Sequence, residues 1–86
     1  MGGPAVVMYT TSWCPYCSRA RRLLGAKNVA VEEIDVDAAP EKRAEMQSRS
    51  GRGTVPQIFI GDHHVGGSDD LLALEEAGKL DGLLGR

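Results

Sequence analysis

The chain's only two cysteines bracket Pro15-Tyr16 in the stretch Trp13-Cys14-Pro15-Tyr16-Cys17, between a short apolar run and a helical pattern. Proline suits the first position of a helix, where its missing N–H is no loss and its fixed φ is already helical. Cys14 then falls at the N-cap. Its sulfur takes the place of a serine oxygen, facing the free N–H groups of the first turn, with Tyr16 and Cys17 as the expected donors. Cys17 comes three residues later, on the same face and one turn deeper. A helix N-terminus behaves as roughly half a positive charge and stabilises an anion by ~0.3–1 kcal/mol, up to ~2 when partly buried. This arrangement marks Cys14 as a thiolate nucleophile and Cys17 as the thiol that resolves its mixed disulfides. A disulfide across so small a loop restricts the unfolded chain little, so a structural staple is a weak reading. Redox chemistry or metal binding remains.

The rest of the chain supplies a scaffold for such a turn. Ala5-Val6-Val7-Met8-Tyr9 does not alternate with polar residues and reads as a strand buried on both faces. Residues 10–13 are its loop, and 15–25 a helix with Ala20, Leu23 and Leu24 inward and Arg19, Arg21 and Arg22 in solvent. Residues 29–36 form a second strand, with Glu32 and Glu33 suited to a sheet edge. The order strand, helix, strand implies a right-handed parallel unit. Asp37 is the expected cap of a helix from Pro40 to Arg49 or Ser50, with Gly51 just past its end. Its apolar face (Ala39, Ala44, Met46) is thin, which predicts shallow cover of the sheet, and Glu45 and Arg49 are spaced for mutual support. Gln57-Ile58-Phe59-Ile60 and His64-Val65 form a hairpin about Gly61-Asp62. Ser68 is the expected cap of a last helix ending at Gly78, and 79–84 a final helical turn. The total, β-α-β-α-β-β-α, is an α/β domain of the thioredoxin class.

Composition narrows the function. With 86 residues, 42% of them hydrophobic, the chain makes one domain over 1–86 that buries roughly 60–65% of its unfolded surface, with 1–4 expected to be a disordered end. A formal charge of −2 offers nothing to nucleic acid or an anionic membrane. No run reaches the ~18 apolar residues of a membrane span. Residues 5–8 are too short for a signal-peptide core, so the expected location is cytoplasmic.

Cys14-Pro15-Tyr16-Cys17, then Thr54-Val55-Pro56, then Gly66-Gly67-Ser68-Asp69-Asp70 resemble, in order and spacing, a dithiol glutaredoxin of bacterial type over residues 6–84. The resemblance implies a thioredoxin-like fold: a four-stranded mixed sheet of order 2-1-3-4, third strand antiparallel, with helices on both faces. It implies a cis Pro56 opposite Cys14, which leaves the Val55 N–H and C=O to pair with the cysteinyl residue of glutathione as an added strand. Thr54 precedes that contact and Tyr16 flanks the ligand. The γ-glutamyl carboxylate would meet the N–H groups of Ser68 and Asp69 at a helix N-terminus, with Gly67 allowing close approach and the Asp69 side chain taking the ammonium. Many family members carry Lys or Arg three residues before the first cysteine. Thr11 stands there in this chain, so Arg43 and Arg52 are the substitutes for holding the glycyl carboxylate.

The implied activity is glutathione-dependent reduction of protein–glutathione mixed disulfides and protein disulfides, with glutathione as co-substrate and no metal. Glutathione reductase would supply electrons through glutathione. Glutathionylated or disulfide-bearing proteins, ribonucleotide reductase among them, would be partners of an expected monomer. Two other readings stay open. One is a glutathione-ligated [2Fe–2S] module, against which Pro15 argues because cluster-holding relatives usually have Gly or Ser there. The other is a thioredoxin-like reductase served by another reductant, which Trp13 and Thr11 allow. A zinc site from His63-His64 and the cysteines is disfavoured, since adjacent residues of an extended chain point to opposite faces.

Overall fold

Four of the five side chains of Val6-Val7-Met8-Tyr9-Thr10 are buried, and this run forms β1 (Val6–Thr10), an interior strand, as its unbroken apolar pattern requires. The computed structural model describes residues 3–86; Met1 and Gly2, half of the 1–4 segment, lie outside the described residues. After β1 come α1 (Pro15–Ala26), β2 (Val31–Asp35), α2 (Pro40–Ser50), β3 (Gln57–Ile60), β4 (His63–Gly66), α3 (Ser68–Glu76) and α4 (Leu80–Leu83). The sheet order is β2-β1-β3-β4. β2 runs parallel to β1, with Val31 beside Val6, and β3 runs antiparallel to it, with Gln57 beside Tyr9. β4 is antiparallel to β3. This is the thioredoxin-like sheet expected from the sequence.

Period-two alternation divides the sheet into two faces. Val6, Met8, Ile58 and Ile60 pack with Ala20 and Leu24 of α1, Leu71 of α3 and Leu80 of α4. Truncating any of these leucines to alanine removes a fully buried side chain, a change of ~2–5 kcal/mol. Tyr9, Val36, Met46 and Phe59 form the smaller cluster on the other face. There α2 buries Met46 completely, deeper than expected, while Ala44 is exposed. Polar contacts supply what the thin apolar face lacks. The buried Tyr9 hydroxyl donates to Glu45 and accepts from Arg49 at 2.8 Å, so those two residues meet through it. The Arg49 guanidinium lies 4.1 Å from the Phe59 ring centroid, a cation–π contact.

Three expectations about ends need correction. β2 is shorter than 29–36, because Val36 turns to give its N–H to the Thr10 carbonyl and Val29 packs on the core from the preceding loop. The cap of α2 is Ala39, not Asp37: Pro40 occupies the first helical turn and fixes the residue before it as cap. Asp37 instead pairs with Arg43 at 3.0 Å. The cap of α3 is Gly67, not Ser68, because the Asp70 carboxylate reaches back to the Gly67 N–H at 2.9 Å.

Candidate functional site

Cys14 has extended backbone at the N-cap of α1, Pro15 follows in the first turn, and the Cys14 sulfur accepts the Cys17 N–H at 3.3 Å. Of the two donors anticipated, only Cys17 makes that bond. Both cysteines are free thiols; Cys14 is partly exposed and Cys17 wholly buried. Burial pushes the Cys17 thiol up, an effect the nearby Thr10 hydroxyl partly offsets and a hydrogen bond to Cys14 reinforces. The inner sulfur therefore keeps its proton at neutral pH while the outer one faces solvent. That asymmetry is what an attacking and a resolving thiol require.

Two residues on from Cys14, Tyr16 borders a groove of about 230 Å³ lined also by Arg52, Thr54, Val55, Pro56, Gly67, Ser68, Asp69 and Asp70. Eight of these are residues singled out from the sequence; Asp70 is the addition, and Arg43 is absent. The Val55–Pro56 peptide is cis. No hydrogen bond among the described residues takes up the Val55 N–H or C=O, which leaves both for an extended ligand. Across the groove α3 begins, and its Ser68 and Asp69 N–H groups have no partner among the described residues. An anion is favoured at such an end.

One glycine is required just before α3. Gly66 has φ +114°, and a Cβ there would collide with the Asp70 carboxylate. At Gly67 a Cβ would make only ordinary contact, 3.7 Å from the Pro56 carbonyl, so the requirement falls on Gly66. Asp70 binds the Gly67 N–H and then Arg52 at 3.1 Å, and these two contacts, in that order, hold its carboxyl below the usual range. Arg52 thus stands at the start of α3, by the end of the groove expected to take the γ-glutamyl group. Arg43 lies outside the groove, paired with Asp37 and donating to the Gly53 carbonyl at 3.4 Å. It braces the loop leading into Thr54.

On the other side of Cys14 is a smaller hollow of about 150 Å³ that includes Thr11, Trp13, Ser18 and Arg21. Thr11 spends its hydroxyl on the Trp13 carbonyl, at 3.3 Å. Trp13 is 83% exposed and so does not cover the helix end, while Tyr16, 54% exposed, borders the groove.

Two residues the sequence did not assign to the groove hold its loop from behind. Gln57, fully buried, donates its amide N–H groups to the Thr54 carbonyl and hydroxyl at 3.1 and 3.2 Å. Its amide oxygen is then the acceptor, so the proton of the 2.7 Å contact with His64 belongs to His64 Nε2. His64 also stacks on Phe59, centroids 4.8 Å apart. Burial first, then the Arg52 charge, pushes the His64 imidazole down. The available signal was a glutamine in an otherwise apolar strand, which must find partners if buried. His63 is exposed, and among the described residues no group of three or more His, Cys, Asp or Glu stands together as metal ligands.

Residues 6–65 match the family model for glutaredoxin. The chain is 62% identical over 81 residues to a glutaredoxin of Pseudomonas aeruginosa, covering 94% of this chain and 96% of that one. Its fold is similar to the solution structure of Brucella melitensis glutaredoxin, at 61% identity and a TM-score of 0.84, covering 95% of this chain and 89% of that one. It is also similar to the crystal structure of a buckwheat glutaredoxin–glutathione complex, at 30% identity and a TM-score of 0.86, covering 94% and 76%.

Proposed function

The chain belongs to the glutaredoxin family, and on that premise we propose that it is a glutathione-dependent reductant of protein–glutathione mixed disulfides and of protein disulfides. One observation carries the reading. Cys14 caps α1, and two residues on Tyr16 borders a groove that offers free strand-pairing groups at Val55 and a free helix N-terminus at Ser68 and Asp69. Those features suit a γ-glutamyl tripeptide, whose cysteinyl backbone pairs at Val55 and whose terminal carboxylate meets α3. The buckwheat relative binds glutathione. The Asp69 side chain is the group for the ammonium. The Arg52–Asp70 pair walls the γ-glutamyl end, and Arg43 acts on the glycyl end through the loop it braces.

In the monothiol route the Cys14 thiolate attacks the glutathionyl sulfur, the S–S bond to the protein's sulfur breaks, and the protein thiolate leaves and takes a proton. A second glutathione thiolate then attacks the glutathionyl sulfur on Cys14, giving glutathione disulfide and free Cys14. In the dithiol route Cys14 attacks a protein disulfide. Cys17 then loses its proton and attacks the Cys14 sulfur, releasing the second protein thiol and leaving a Cys14–Cys17 bond that two glutathiones reduce. Both routes move two electrons, and both need a pool of reduced glutathione kept by glutathione reductase, which suits the cytoplasm.

Cys14→Ser should abolish activity, and Cys17→Ser should keep deglutathionylation while losing reduction of protein disulfides. An active Cys14→Ser protein would overturn the assignment. The exposed Trp13 favours a thioredoxin-like partner surface as a second reading. Turnover with glutathione and its reductase, compared with thioredoxin reductase, separates the two.

A further inference from the structure

A larger cleft, about 420 Å³, opens between α1 and α3, and it meets the groove of Val55 and Asp69 at Ser68, which lines both. Its floor and walls are apolar: Ala20 and Leu71 are buried beneath it, and Leu23 and the 40% exposed Leu72 form its sides. Its rim is cationic. Arg19 and Arg22, on one stripe of α1, have no acceptor among the described residues. The chain's other five arginines each engage one: Arg21 with Glu33, Arg43 with Asp37, Arg49 with Tyr9, Arg52 with Asp70 and Arg86 with the Asn28 carbonyl. Of the carboxylates of α3, Asp70 holds Arg52, Glu75 holds Lys27 and Asp69 lines the groove, while Glu76, at the far end of α3 from Ser68, forms no ion pair with either arginine.

We propose that this cleft docks an extended segment of the protein substrate, an apolar side chain flanked by carboxylates, that continues from the cysteine under attack at Cys14. The proposal rests on the oxidoreductase reading and names its substrate class. The geometry sets a register. Helical rise puts Arg19 about 7 Å and Arg22 about 12 Å along α1 from Cys14. An extended peptide advances about 3.3 Å per residue. The carboxylates therefore fall about two and four residues from the reacting cysteine, with the apolar side chain between them pointing to the opposite side, into the cleft.

The test uses two glutathionylated peptides that share a cysteine and a leucine three residues on. One carries Glu and the other Lys at the second and fourth positions. Wild-type protein should turn over the Glu peptide with kcat/KM about tenfold above the Lys peptide, and 1 M NaCl, where the screening length is about 3 Å, should erase the difference. Arg19→Glu with Arg22→Glu should invert the preference, and Leu72→Glu should weaken the Glu peptide several-fold. Neither variant should alter turnover of the small mixed disulfide of glutathione and 2-mercaptoethanol. Equal handling of the two peptides by wild type, or a parallel loss on the small substrate in the variants, would overturn the docking site. Fluorescence anisotropy of labelled peptides with serine in place of cysteine reads the cleft without turnover. Tight, charge-dependent binding there beside an inactive wild type would sink the oxidoreductase reading and leave the cleft standing.

Discussion

Replacing Gln57 with leucine separates how the groove's loop is held from how the thiols react. The side chain is wholly buried and makes three hydrogen bonds, to His64 and to the Thr54 carbonyl and hydroxyl. Leucine keeps most of the volume and removes all three. At ~0.5–1.5 kcal/mol net for each bond, the loss spans ~1.5–4.5 kcal/mol. Thr54 is exposed and water can satisfy its freed groups, whereas the half-buried His64 cannot be served as easily. The expected loss is therefore ~2–3 kcal/mol. For a domain of this size that lowers Tm by roughly 10–20 °C and, at an m-value of ~1 kcal/mol/M, moves the urea midpoint by about 2–3 M.

The functional consequence is distinct. Cys14 and Cys17 lie on α1 and touch neither Gln57 nor His64, so kcat should stay within about twofold. Thr54 and Val55 lose the anchor that sets them against the ligand, so KM for a glutathionylated peptide should rise several-fold at a temperature where the variant is fully folded. Gln57→Glu keeps the acceptor for His64 and loses both donors to Thr54, and it should share the KM defect. A Gln57→Leu protein with the stated instability and an unchanged KM would refute the reasoning, since the amide would then serve packing alone.

Linkage gives a second expectation, at His64. Its imidazole is pushed below the ordinary 6.5 in the folded state, so the unfolded chain binds the extra proton first as pH falls. Stability conferred by the neutral ring is complete above about pH 6.5 and declines below it; His64→Gln should flatten that slope in urea titrations between pH 7 and 5. Burial raises the Cys17 thiol, so iodoacetamide at pH 7.5 should modify Cys14 well before Cys17, read by peptide mass spectrometry, and the reverse order would exchange their roles. Arg52→Ala should raise the KM for a glutathionylated substrate several-fold, and Arg43→Ala about twofold through the loop at Gly53. Unchanged values for both would mean that neither arginine serves the ligand's carboxylates.

What the sequence made legible was local. An unbroken apolar run marks an interior strand, and a proline fixes the position of a helix end, so β1 and the cap at Cys14 follow from neighbours in the chain. Motif spacing then brought Tyr16, Val55 and Asp69 to one groove. The two caps were misread for an instructive reason. Asp37 and Ser68 are good capping residues by type, but Pro40 and the reach of Asp70 select the residues beside them. Arg52–Asp70, Tyr9–Glu45–Arg49 and Gln57–His64 join residues up to 40 apart, and each depends on which strands lie side by side.

Register also explains why these unread contacts share one side of the sheet. Tyr9 and Gln57 are paired across β1 and β3, as are Phe59 and His64 across β3 and β4, and directly paired side chains emerge on the same face. From α2 to the loop opposite Cys14 the contacts run Arg49 to Phe59, Phe59 to His64, His64 to Gln57 and Gln57 to Thr54. The face beneath α1, α3 and α4 is held by nine buried apolar residues, whereas the face beneath α2 has only four and relies on this polar and aromatic series. Hydrogen bonds and a titrating histidine respond to pH where leucine packing does not. Acidification toward pH 5 should therefore loosen the Thr54–Val55 loop while the sheet and α1 still stand, and the amide resonances of Thr54 and Val55 should shift or broaden before hydrogen exchange rises at Met8 or Leu24. If protection at Met8 and Leu24 fell together with the change at Thr54 and Val55, the two faces would unfold as one unit and the loop would draw its stability from the apolar core.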